Sequence, residues 1–224
     1  MGATGHGSSH LKDDWADVLR HDAAVHLLLM ASIVAGVFQG YMKDRMGGAI
    51  PYALADACMA GAVLIWFGKI AVQRRTVRGS GGMLTIIIMA VFIPVTYLLI
   101  PGTPVLVKMA GLRIWVLFPL VGLVAVNTIQ STGQIRAYTA LVVILGLIAG
   151  AYGIYQFQIG PEAALVSPFG EARHGFTVFY ALDEGQSEFR AFSTFTFPAP
   201  FANFMVVGML LAVGAALSKR HSRS

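Results

Sequence analysis

The chain has 224 residues, of which 56% are hydrophobic and only 12% charged, with 16 Lys and Arg against 11 Asp and Glu. So few charges cannot clothe a soluble surface, and the apolar residues run in long blocks, so the sequence describes an integral membrane protein. A disulfide framework is excluded by the lone Cys58 and disorder by the hydrophobicity, while the net charge of +5 needs no nucleic acid to explain it, since basic residues between apolar blocks set membrane orientation.

Residues 1–22 read as a cytoplasmic segment with a short amphipathic helix. Leu11, Trp15, Val18 and Leu19 share one face of that helix, which would lie on the membrane interface or dock a partner. Its polar face is acidic, unlike the Lys-rich face that binds anionic lipid. Asp13, Asp14, Asp17 and Asp22 also match poorly to the basic start of a secretory signal, so the first apolar helix is expected to stay.

A spanning helix needs roughly 20 mostly apolar residues, and lipid leaves the backbone no other open-chain solution. About six stretches qualify, at 23–41, 50–72, 83–100, 113–129, 135–157 and 201–217. The first five make a membrane region over 23–157, and Pro94 and Pro119 are read as kinks within it. The fold class is therefore all-α, integral membrane and multi-pass.

Orientation follows from Lys and Arg. With the N-terminus in the cytoplasm, Lys12, Arg20, Lys69, Arg74, Arg75, Arg78, Arg136, Lys219, Arg220 and Arg223 fall inside. Lys43, Arg45, Lys108, Arg113, Arg173 and Arg190 fall outside, so ten oppose six of the 16 basic residues. Both termini are expected in the cytoplasm, the tail 218–224 being basic. Residues 158–200 then form one long outside loop. It carries Glu162, Glu171, Asp183, Glu184 and Glu188 against Arg173 and Arg190, among many aromatics, which argue for order.

No Zn-type Cys/His spacing, HExxH or phosphate-cradling Gly-rich loop is present, and neither a metal nor a cofactor is expected. The remaining cues come in order. Arg113 opens a span within Gly111-Leu-Arg-Ile-Trp. A later span ends in Ala151-Tyr-Gly-Ile-Tyr-Gln-Phe-Gln-Ile-Gly160. The outside loop then closes with Arg190-Ala-Phe-Ser-Thr-Phe-Thr-Phe-Pro-Ala-Pro-Phe-Ala-Asn203 and runs straight into a helix. In these segments the chain resembles the O-antigen ligase and polymerase family of bacterial membrane glycosyltransferases. The last segment is the most specific of them.

The resemblance implies a metal-independent transfer of undecaprenyl-diphosphate-linked glycans at the outer face of the bacterial inner membrane. It also implies that outside arginines hold the diphosphate: Arg190 matches the arginine of the loop motif, with Arg113 and Arg173 as further candidates. A planar guanidinium suits phosphate oxygens. Family members run to about twice this length, and their second half carries the histidine usually assigned the base role. His174 does not match that position, so the resemblance covers a front half.

Each candidate has a plainer reading. Arg190 could pair with Glu188 or Glu184, and Arg113 could simply snorkel at the surface. His174, beside Arg173, could titrate near neutral pH or be merely solvated. Asp56 lies within the second span, where an acid is a functional candidate, yet it is close enough to Pro51 to reach the interface. Tyr155 and Gln156 close the fifth span, and Gln156 is expected to bond a neighbouring helix in preference to a sugar. Gly146, Gly150 and Gly153 give small-residue spacing for close helix packing, and Trp15 is a candidate partner contact.

Two functions follow. The favoured one is a non-catalytic subunit of a larger inner-membrane complex, surrounded by membrane lipids and other membrane-protein subunits, that keeps a ligase-like scaffold. The alternative is a glycosyltransferase, or half of one, acting on undecaprenyl-diphosphate glycans.

Overall fold

A computed structural model of the protein describes residues 22–46, 50–73, 92, 96, 99, 101–102, 108, 116–165, 179–181, 187–189, 191, 193–195 and 198–221. The candidates Trp15, Arg113, Arg173, His174 and Arg190, the amphipathic helix and most of the third expected span lie outside these residues.

The described elements are α1 (Ala23–Met46), α2 (Ile50–Gln73), α3 (Phe118–Thr128), α4 (Thr132–Leu165), β1 (Phe179–Ala181), β2 (Ser187–Phe189) and α5 (Pro198–His221). Four of the helices are long and apolar enough to cross a membrane, along Ala23–Lys43, Ala53–Gln73, Thr132–Gly160 and Ala199–Ala216. The protein is thus helical and multi-pass. One small exception to the all-α expectation lies in the segment read as the outside loop. There β1 and β2 pair antiparallel, with Phe179 opposite Phe189 and Ala181 opposite Ser187.

Boundaries differ from the sequence reading where local chemistry intervenes. Of the fourth expected span, 113–129, the described part is helical: residues 116–117 are π-helical and the 11-residue α3 follows. Pro119 stands in the first turn of α3, just after the π-helical residues 116–117, so the winding of the helix changes beside the expected kink. The fifth runs beyond 157, to Leu165, with a break at Gly160 (φ 82°, ψ 170°), a conformation only glycine adopts freely. Pro161 follows and has no N–H to continue the ladder.

By packing, the chain divides into two units, Met1–Leu29 with Asp56–Ile135 and Met30–Ala55 with Arg136–Ser224. In the first, α1 and α2 are antiparallel. Lys69 Nζ sits 2.6 Å from Asp22 Oδ1, and Leu28 packs over Gly61, where an added Cβ would lie 3.3 Å from its Cδ1. Asp22 adopts a positive φ of 56°, and its carbonyl accepts the Val25 and His26 N–H groups at 2.8 and 3.1 Å, starting α1. Ser131 and Gln134 start α4 reciprocally. The Ser131 hydroxyl accepts the Gln134 N–H at 3.0 Å, and Gln134 Oε1 accepts the Ser131 N–H at 3.1 Å.

In the second unit α1 and α4 run parallel. Val37 meets Leu145 and Ala149 in the core, and Tyr41 meets Tyr152 further along both helices. The neighbouring pair α4 and α5 is antiparallel, Gly150 facing Met205 and Gly153 facing Phe201. Ile33, Phe38, Leu141, Phe201 and Phe204 complete the core around Val37, Leu145, Ala149 and Phe195.

Candidate functional site

The motif segment that leads into α5 is held by backbone contacts. Ser193 takes a positive φ of 54°, a conformation with a steric cost for any residue bearing a Cβ. Two side-chain groups on α4 offset that cost. Gln156 Oε1 accepts the Ser193 N–H at 2.6 Å, and Gln156 Nε2 donates to the Ser193 carbonyl at 3.1 Å. One amide thus reads both polar groups of one residue, as a neighbouring strand would. The Ser193 hydroxyl donates to the Ala149 carbonyl, one further attachment to α4. Gln156 and Ser193 are both buried, so each of these bonds replaces water that is absent.

α1 grips the next two residues. The Tyr41 N–H donates to the Thr194 carbonyl at 3.0 Å. One residue earlier, Gly40 lets the turn lie directly on the helix: a Cβ there would fall 2.3 Å from both the carbonyl carbon and oxygen of Phe195. Real atoms do not approach so closely, so only glycine fits. Phe195 then drops into the core, its ring 6.1 Å from Phe201 and 5.4 Å from Phe204. The turn Ser193–Phe195 is therefore fastened to α1, α4 and α5 together.

The sequence-level candidates are distributed as follows. Gly150 and Gly153 face α5, where added Cβ atoms would lie 3.1 Å from Met205 Cε and 2.8 Å from Phe201 Cζ. Gly146 is buried, yet a Cβ there would meet nothing within 4 Å. Asp56 is half-buried on α2, one residue into the first unit. Among the described residues no group of three or more His, Cys, Asp or Glu side chains could hold a metal.

Two features were missed by sequence reasoning. Gly40 follows Gly36 with the same four-residue spacing as Gly146 and Gly150, and that pattern was readable. In each pair only the second glycine makes the close approach. The second feature is the pair His26 and Gln134, both buried, with Gln134 Nε2 3.2 Å from His26 Nε2. The Ser131-x-x-Gln134 cap that holds Gln134 is a recognisable signature, but its reach to His26 is not.

No family model matches the chain, and no curated protein and no solved structure matches it either.

Proposed function

We propose that the protein is a non-catalytic subunit of a larger bacterial inner-membrane complex, built on the ligase-like scaffold its sequence resembles. The observation that supports this most is α5. Only 6% of its apolar span is buried within the chain, against 39% for that of α1. Gly150 and Gly153 give it one line of close contact on α4, while Val206, Val207, Met209, Leu210 and Val213 are all exposed. A helix fixed so firmly along one line and so bare elsewhere suits a chain whose neighbours in the membrane are other subunits. The described polar groups of the motif add support, since Gln156 and the Ser193 hydroxyl are spent on holding backbone.

The parallel run of α1 and α4 fits the six-span topology that goes with this reading. Two parallel crossings are separated by an odd number of others, and six spans put three between them. Mild-detergent extraction from native membranes, with sizing and mass spectrometry of what co-migrates, tests the proposal. A stoichiometric complex with unrelated membrane proteins is expected; migration alone would overturn it.

The glycosyltransferase reading is favoured by a different observation. The anchored Ser193–Phe195 turn begins three residues after Arg190, which would give a diphosphate-binding arginine a rigid base. Arg190→Ala should then abolish glycan transfer while leaving the fold intact, whereas a scaffold is indifferent to the change.

A further inference from the structure

Beyond the anchored turn, the second unit carries a cation set over an aromatic ring. Arg45 lies in the last turn of α1, its guanidinium carbon 5.5 Å from the centre of the Tyr41 ring one turn earlier. Among the described residues it has no ion-pair or hydrogen-bond partner. Tyr41 stands edge-on to Tyr152 of α4, with centroids 6.3 Å apart, and Tyr152 lies 6.0 Å from Tyr155. Tyr41 is 39% exposed and Tyr155 54%, so the row has an open side. Both helices approach the ends of their apolar spans here, at Lys43 and Gly160.

We propose that Arg45 with Tyr41, Tyr152 and Tyr155 forms a binding site for the phosphate-bearing headgroup of a membrane lipid. An arginine that only snorkels would reach into water, and scattered interfacial tyrosines would need no mutual contact. Here the guanidinium stands over a ring face, a contact that uses none of its N–H donors. Phosphate oxygens take such donors in pairs. The phenol rings cover the glycerol or prenyl carbons next to the phosphate, and their hydroxyls, which have no partner among the described residues, reach its polar part.

Two effects oppose an anion at this place. The C-terminal end of α1 carries a partial negative charge of about half an elementary charge, and Asp44 lies between Lys43 and Arg45. Two cations against one carboxylate still leave the turn positive, and a full charge on Arg45 in ring contact outweighs the partial charge of a helix end. The site does not depend on the subunit reading. Its ligand could come from bulk anionic phospholipid or from a polyprenyl diphosphate carrier, which share this chemistry.

The test is native mass spectrometry of the detergent-purified full chain, titrated separately with dioleoylphosphatidylglycerol, dioleoylphosphatidylcholine and undecaprenyl diphosphate. One retained equivalent of an anionic probe is expected, and phosphatidylcholine should be held more weakly. Arg45→Gln should weaken retention about tenfold, as expected for loss of a charge-assisted pair. Tyr155→Ala, at a site too exposed to threaten the fold, should weaken it by a smaller factor of about three. Phosphatidylglycerol held as tightly as the diphosphate assigns the site to bulk lipid; displacement of phosphatidylglycerol by near-stoichiometric diphosphate assigns it to the carrier. Equal retention by wild type and both variants, or no retained anionic probe, overturns the proposal.

Discussion

The Ser193–Phe195 turn and the cluster at the start of α1 both bury polar groups in apolar surroundings, but by different means. At the turn, side chains and a helix amide satisfy backbone. Gln156 takes both polar groups of Ser193, the Tyr41 N–H takes the Thr194 carbonyl, and Gly40 removes the atoms that would keep the chains apart. In the cluster, side chains also satisfy side chains: Lys69 pairs with Asp22, and Gln134, besides capping α4, with His26. The first arrangement tolerates almost no change of shape, because backbone cannot move aside. The second can relax, since Lys69 and Asp22 are 33% and 15% exposed and water can reach them. Steric demand thus concentrates where a loop must lie on a helix.

Substitutions that separate these two regions follow, in order of expected effect. Gly40→Ala should be the most damaging, costing about 3 kcal/mol, because the new methyl meets fixed backbone at 2.3 Å. Thermal unfolding in detergent measures it, and a change within error of wild type would mean that the turn does not rest on α1. Gln156→Leu keeps the volume but strands the buried N–H and carbonyl of Ser193, at about 2 kcal/mol. Its mark is specific: amide exchange around the turn should rise while that around the start of α4 stays as it was.

In the other region, Gln134→Ala removes both a helix cap and the partner of His26. A loss of about 1.5 kcal/mol is expected in the same unfolding assay. Lys69→Met should cost no more than about 0.5 kcal/mol, since a partly exposed ion pair is weak, and added salt should shrink the difference. Gly146→Ala closes the series. With nothing within 4 Å of the new methyl, it should leave stability unchanged or raise it by a few tenths of a kcal/mol, because alanine favours the helix. A loss like that of Gly40→Ala would place an unseen neighbour against Gly146, as a partner subunit would be.

Much of the architecture was legible because it depends on chain-local quantities. Apolar length locates α1, α2, α4 and α5 to within a few residues at most ends. The break at Gly160 is also local, and the expected end of the fifth span at 157 falls three residues short of it. Hydropathy averages over single residues, whereas Gly160 with Pro161 ends a hydrogen-bond ladder within an apolar run. Small-residue spacing marked Gly146 and Gly150 alike, but spacing cannot tell which glycine meets a neighbour.

By itself, then, the sequence determined that this is a helical membrane protein, since so few charges and such long apolar runs leave the backbone only helices in which to satisfy itself. It also marked the segment after Arg190 as distinctive. Only the tertiary structure decided what Gly40, Tyr41, Gln156 and Arg45 do. Each meets a partner far away in the chain or, for Arg45, stands over Tyr41 in the tyrosine row that α4 extends. Such pairings arise from how helices cross, which no local pattern of hydrophobicity or charge records.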